Sequence, residues 1–147
     1  MFCFSIVFAG KIKNPHINKL YLDYQKRISR YGKINFIQIS PGSKKEEGMR
    51  ILNVLDRRNN SKVFVLSEEG ELYSSKAFSK LLNFSHGQHL IFVVGGAYGL
   101  EEEVKTRANH LISLSLMTFT HELSILLLAE QIYRGISIIN GSKYHHD

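Results

Sequence analysis

Residues 89–99 read HLIFVVGGAYG. His89–Val94 (HLIFVV) goes straight into Gly95-Gly96, and Leu100 to Ala108 then carries helical spacing. A short, continuous apolar run that stops at glycine reads as a strand buried on both faces, and a helix after it is half of a parallel βα unit. Outward from this segment the unit repeats. Toward the C-terminus, Leu111–Ser115 is a further strand, and the longest helix runs from His121 to about Asn140, with Gly141 to end it. Toward the N-terminus lie a strand at Lys62–Leu66, a loop at Ser67-Glu68-Glu69-Gly70, and a helix capped by Ser74 or Ser75 that reaches about Asn83. Residues 45–58 predict an amphipathic helix that turns Met49, Leu52, Val54 and Leu55 inward, after the turn Pro41-Gly42-Ser43. Residues 33–39 alternate as a strand burying Ile34 and Phe36, with Ile37 or Ile39. Pro15 opens a helix with Ile17, Leu20, Tyr21, Tyr24 and Ile28 inward and a stop at Gly32, and residues 3–8 form a strand ending at Ala9-Gly10.

Strand and helix alternating five times predict an α/β fold with a mostly parallel sheet flanked by helices. The chain has 147 residues, 44% hydrophobic and 22% charged, with no repeat, linker or low-complexity segment, so residues 1–147 read as one domain. Such sheets bind ligands at the carboxyl ends of their strands. The candidate positions are Leu66 onward, Gly95-Gly96 and Ser115 onward. By default the crossovers are right-handed and the chain is unknotted.

Composition excludes several classes. The lone Cys3 forbids an internal disulfide framework and a cysteine-rich zinc site. No HExxH or comparable spacing offers a metal site. No apolar run is long enough for a membrane span, and MFCFSIVFAGKIK lacks a basic leader, so the expectation is a soluble cytoplasmic protein. Charge is unevenly divided. Residues 1–62 hold 13 Lys and Arg against 4 Asp and Glu, a balance of +9, whereas residues 63–147 hold 6 against 9, a balance of −3. A basic half points to a polyanion such as a nucleic acid, with Lys44, Lys45, Arg57 and Arg58 as candidate contacts beside Lys11, Lys13, Lys26 and Arg27.

The glycines of Gly95-Gly96-Ala97-Tyr98-Gly99 let a ligand approach the backbone. Their spacing does not fit the dinucleotide fingerprint, and no phosphate-binding Lys-Ser/Thr follows, which argues against a nicotinamide dehydrogenase and a nucleoside triphosphatase. Leu114–Thr120 (LSLMTFT) offers backbone polar groups framed by Leu116, Met117 and Phe119, a surface that suits an adenine or a plain core crossover equally. The last helix is apolar on nearly every side, from Leu123 to Ile139. In so short a chain a leftover face predicts a symmetric homodimer. Among seven histidines, His121 stands beside the candidate loop, and His145 and His146 follow Tyr144; histidine suits a general base at neutral pH. Glu101-Glu102-Glu103 complements a helix dipole.

Together the segments VFVLSEEG (63–70), LIFVVGGAYGL (90–100), LSLMTFTHELSILLLAEQIYRG (114–135) and Lys143-Tyr144-His145 resemble the SPOUT class of RNA methyltransferases. Within that class the likeness is to the 23S rRNA (pseudouridine-1915-N3)-methyltransferase family, and it spans the whole chain. The resemblance implies a C-terminal trefoil knot, a homodimer, and bent S-adenosyl-L-methionine as cofactor. It assigns the cofactor to Leu66, Gly96, Ser115, Leu116, Met117, Thr118, Phe119 and Thr120. It places the family histidine at His121 and the C-terminal Tyr-His at Tyr144 and His145, and these three are the catalytic candidates. The implied substrate is 23S rRNA in the assembled ribosome; a tRNA, another rRNA site, or a non-catalytic RNA-binding module are the alternatives. One departure stands out. The family shows Arg where this chain has Ile125, which makes Arg134 and Lys143 the candidate RNA contacts in its place.

Overall fold

The computed structural model describes residues 1–96 and 98–146; Ala97 of the glycine turn and Asp147 of the tail lie outside the described residues. Five strands, β1 (Phe2–Ala9), β2 (Gly32–Ile39), β3 (Ser61–Leu72), β4 (His89–Val94) and β5 (His110–Ser113), form one sheet in the order β2-β1-β4-β3-β5. Every pairing is parallel. The helices are α1 (Pro15–Ile28), α2 (Lys44–Asp56), α3 (Ser75–Phe84), α4 (Glu102–Arg107) and α5 (His121–Ile139).

The layers follow from the strand pattern. β1 lies inside the sheet between β2 and β4, and Phe4, Ile6, Val7 and Phe8 are wholly buried, so both faces of the strand meet a core. Phe4, Phe8, Phe64 and Phe92 pack on one face beneath α1, α3 and α5. Val7, Val65, Ile91 and Val93 pack on the other face with Ile51 and Leu55 of α2 and Val104 of α4. Helix starts are set by side-chain caps. Asn14 accepts from His16 and Ile17 N–H ahead of Pro15, and Ser43 forms a reciprocal capping box with Glu46.

The structure corrects four sequence expectations. First, β3 does not stop at Leu66. It pairs with β5 up to Leu66, shifts register, and pairs again at Glu71 and Leu72. Residues 67–70 form the irregularity, and Gly70 lies so close to β5 that a Cβ would sit 2.5 Å from the Ile112 nitrogen. The turn-like SEEG is thus an excursion within a strand. Second, α2 turns Glu47, Gly48, Ile51 and Leu55 inward and leaves Met49 59% exposed. Third, Leu20 of α1 is also on the outside. Fourth, β5 ends at Ser113 rather than Ser115, because the Ser113 hydroxyl donates to the Ser115 carbonyl at 2.8 Å and turns the chain.

Helix α5 is apolar all round because its own chain flanks it, with α1 on one side and α3 on the other. Ile125, Leu128, Ala129, Ile132 and Ile136 are buried. Leu123, Leu127 and Ile138 remain partly uncovered.

Candidate active site

A cleft of about 620 Å³ opens at the carboxyl ends of β3, β4 and β5, where three separate segments converge. β3 contributes Leu66 and the excursion bearing Glu68 and Glu69, β4 runs out into Gly95 and Gly96, and the β5–α5 connection supplies Ser115 and Met117–His121. Of the eight cofactor positions expected from sequence, seven line this cleft. Leu116 points away and is 90% exposed.

Polar side chains fix the connection. The Ser115 hydroxyl accepts from Met117 N–H at 3.0 Å, Thr118 donates to Glu68 Oε1 at 3.1 Å, and Thr120 caps α5 by accepting from Leu123 N–H at 3.3 Å. Lys105, 17% exposed, reaches Glu69 and Glu102, each at 3.5 Å. The floor needs glycine. A Cβ on Gly95 would meet Leu100 at 2.6 Å, and one on Gly96 would meet Glu47 Oε1 at 2.7 Å.

His121 begins α5 and lines the cleft. Its Nε2 lies 3.0 Å from the Ala9 carbonyl, which only accepts, so Nε2 carries a proton. In the neutral ring Nδ1 is therefore the bare nitrogen, and it is buried without a hydrogen-bond partner.

The other two catalytic candidates lie elsewhere. Tyr144 donates to Glu130 Oε1 at 2.9 Å. Tyr24 OH is 3.1 Å from the Tyr144 oxygen and, with the Tyr144 proton committed, is the donor there. Burial, aided by these two bonds, raises the Tyr144 pKa and keeps the phenol protonated. Arg134 stacks over the Tyr144 ring at 4.7 Å, gives Nε and Nη2 to Glu130 at 3.0 and 2.6 Å, and gives Nη1 to His145 Nδ1 at 3.1 Å. Glu130 comes nine residues after His121 on α5, about 14 Å along the axis.

A family model described as "Predicted SPOUT methyltransferase" matches residues 3–145, taking in both the cleft and the Tyr144–His145 tail. The chain belongs to the SPOUT methyltransferase family. Similar proteins include "Ribosomal RNA large subunit methyltransferase H" of Geotalea daltonii, 36% identical and covering 97% of this chain and 98% of that one. Proteins of the same name from Caldicellulosiruptor saccharolyticus and Prochlorococcus marinus are each 38% identical, covering 96% and 98% of this chain and 98% and 96% of theirs. Two solved structures share the fold. One is a probable methylase family protein from Haemophilus influenzae, at TM-score 0.61 and 12% identity, covering 98% of this chain and 70% of that one. The other is the SpoU methyltransferase AviRb from Streptomyces viridochromogenes, at 0.52 and 11%, covering 95% and 61%.

This SPOUT enzyme uses a methyl donor, and its expected RNA contacts fall in different places. Lys44 and Lys45 are exposed in the first turn of α2, while Arg57 and Arg58 follow its last turn, about 20 Å away along the helix. Arg58 Nη1 donates to the Val54 carbonyl at 3.0 Å. Lys143 is exposed, whereas Arg134 is committed to Glu130 and His145. Ile125, where the resemblance leads one to expect Arg, is wholly buried. Sequence reasoning missed two residues. Glu47 is 7% exposed, accepts from Gly42 N–H at 3.1 Å and backs Gly96; Glu130 organises the tail. Glu47 offered a faint signal, since Ser43 and Glu46 account for the capping box and leave it over. Among the described residues no group of three His, Cys, Asp or Glu side chains is arranged for a metal, and no helix is long and apolar enough to cross a membrane.

Proposed function

We propose that this SPOUT methyltransferase holds S-adenosyl-L-methionine in the cleft over β3, β4 and β5 and methylates N3 of pseudouridine 1915 of 23S rRNA in the assembled ribosome. It works in the cytoplasm as one domain, residues 1–147, in a symmetric homodimer with the trefoil knot of its class. The observation that carries this reading is the convergence of Leu66, Gly96, Ser115 and Met117–Thr120 on one cleft. Relatives more than a third identical over nearly their whole length carry the name of a ribosomal RNA large subunit methyltransferase.

The lining suits the cofactor. Gly95 and Gly96 line the cleft, Leu66 and Phe119 supply apolar faces for a purine, and Glu68 and Glu69 place negative charge beside a cationic donor. The cofactor supplies a methyl group on a positively charged sulfur, already activated for transfer. The protein aligns the acceptor, a task worth about 7–11 kcal/mol, and removes the N3 proton. His121, whose side chain lines the cleft, takes that proton. Tyr144, held protonated, positions rather than deprotonates. The Tyr144–His145 tail is anchored far along α5 from its own His121, so in the homodimer it serves the partner's cleft.

The test is transfer of labelled methyl from S-adenosyl-L-methionine to unmodified ribosomes, separated large subunits and bulk tRNA, with the product mapped by mass spectrometry. Label at one 23S pseudouridine, in ribosomes only, is the expected result. Label in tRNA overturns the substrate, and absence of cofactor binding overturns the enzyme reading of the cleft. His121→Ala lowers turnover at saturating substrates by about 10²–10⁴-fold. Wild-type turnover in that variant removes His121 from the chemistry.

A further inference from the structure

The loops at the carboxyl ends of the strands are divided by charge. Over β3, β4 and β5 the cleft carries Glu68 and Glu69, with Lys105 paired to Glu69 at 3.5 Å. Over β1 and β2 the loops carry Lys11, Lys13, Lys44 and Lys45, all exposed and none in an ion pair with another described residue. The neighbouring carboxylates are used inside the fold. Glu46 accepts from Ser43 N–H at 3.1 Å and pairs with Arg50 at 3.5 Å. Glu47 is turned inward on Gly42, and Glu122 accepts from Asn14 N–H at 3.0 Å.

Both lysine pairs are also tied to the cleft. Residues 10–14 are held at either end. At one end Gly10 N–H donates to the Ile39 carbonyl at 3.0 Å and Ala9 accepts from His121; at the other Asn14 is bound by Glu122. Lys11 and Lys13 therefore ride on a loop clasped by the first two residues of α5. Lys44 and Lys45 ride on the helix turn whose Glu47 backs Gly96. Two lysines at the first positions of a helix oppose its dipole, so local helix stability does not account for them. From this juxtaposition we infer that Lys11, Lys13, Lys44 and Lys45 form one surface that takes the phosphate backbone of the RNA flanking the target nucleotide, while the acidic half of the rim is kept for the cationic cofactor. The inference rests on the RNA-methylating reading above and adds where the RNA lies. It assigns backbone binding to the β1–β2 side of the carboxyl rim and not to Arg57 and Arg58 at the far end of α2.

The test uses the full-length protein and unmodified ribosomes. Co-sedimentation is measured across a salt series for the wild type, Lys11→Glu/Lys13→Glu, Lys44→Glu/Lys45→Glu and Arg57→Glu/Arg58→Glu, with cofactor affinity measured in parallel. Removing one lysine–phosphate pairing lowers the log–log salt slope by about 0.7–0.9, so each lysine pair is expected to lower it by about 1.4–1.8. Ribosome affinity falls at least tenfold, and cofactor affinity stays unchanged. Lys→Gln versions of each pair give smaller changes in the same direction and control for misfolding. An unchanged slope in both lysine variants, or an equal loss in the arginine variant, overturns the inference. The readout is binding and not transfer. A wild type that binds ribosomes with a steep, lysine-dependent slope but transfers no methyl would therefore fail the proposed reaction and leave the surface standing.

Discussion

The Tyr144 hydroxyl and Glu130 Oε1 meet at 2.9 Å across the turn that ends α5. The same oxygen receives Nε and Nη2 of Arg134, so one carboxylate fixes both the tail tyrosine and the arginine that holds His145. Replacing Glu130 with Gln leaves a half-buried guanidinium without its anion. Hydrogen bonds to charged groups are worth about 1.5–3 kcal/mol, so Glu130→Gln should lose that much stability in urea titration. Methyl transfer should fall about tenfold or more with cofactor affinity retained. Loss of cofactor affinity in parallel would show that the network holds the cleft rather than the tail.

Gly141 gives a second handle on the tail. It adopts φ +69, its N–H donates to the Ile138 carbonyl at 3.1 Å, and Ser142 N–H donates to the Ser137 carbonyl at 2.9 Å, the paired bonds of a Schellman stop. Gly141→Ala should cost about 1 kcal/mol through the left-handed backbone and lower transfer through a misplaced Tyr144. Gly141→Asn, which tolerates this conformation better, should recover most of both losses. Equal activity in all three proteins would detach the stop from function.

Gly96→Ala tests the floor of the cleft. Its Cβ would press on Oε1 of the buried Glu47, whose Oε2 accepts from Gly42 N–H. Overpacking of this kind costs about 1–3 kcal/mol, and calorimetric titration should show cofactor affinity reduced at least tenfold. Wild-type affinity would mean that the ligand does not use the glycine floor.

The acidic rim should discriminate charge. Glu68→Gln/Glu69→Gln should weaken S-adenosyl-L-methionine, which is cationic at sulfur, more than its neutral demethylated product. A differential of about 3–10-fold is expected at low salt, shrinking as salt is added. Equal losses for both ligands would assign these carboxylates to hydrogen bonding alone.

Stability should fall in mild acid. Burial, with Arg58 nearby, lowers the pKa of His89, and burial with Lys62 lowers that of His110. The unfolded chain takes up protons near pH 6.5 while the folded chain resists, so stability present above that pH is lost as pH drops through the window beneath it. Urea midpoints at pH 7.5 and 5.5 should differ, and His89→Gln should narrow the gap. An identical gap in that variant would place the acid sensitivity elsewhere.

Much of the fold was legible in the chain. HLIFVV is apolar on both faces, and the observed β4 has the predicted limits, His89–Val94. Ser74, one of the two serines expected to cap the third helix, caps α3 by accepting from Ala77 N–H. The cleft was legible because parallel sheets bind at their carboxyl ends, which is where Leu66, Gly96 and Ser115 come together. What stayed hidden depended on distant partners. Ser67–Gly70 has turn composition, and only β5 on the far side of the excursion makes it strand. Met49 and Glu47 differ by two positions on α2, and hydropathy favours the wrong one as the inward residue. Nothing local joins Glu130 to Tyr144 or His121 to Ala9, which lie 14 and 112 residues apart.

The position of β1 between two strands that follow it in the chain bears on how the chain emerges from the ribosome that makes it. Its two neighbours are β2, some 30 residues later, and β4, paired as Cys3 with His89 and Phe8 with Val94. At about 5–20 residues per second, β1 waits roughly 4–17 s after synthesis for its second neighbour. Throughout that interval FCFSIVFA has at least one open edge. The nascent chain therefore carries an unpaired apolar strand until residue 94 has cleared the exit tunnel, and translation pauses before that point lengthen its exposure.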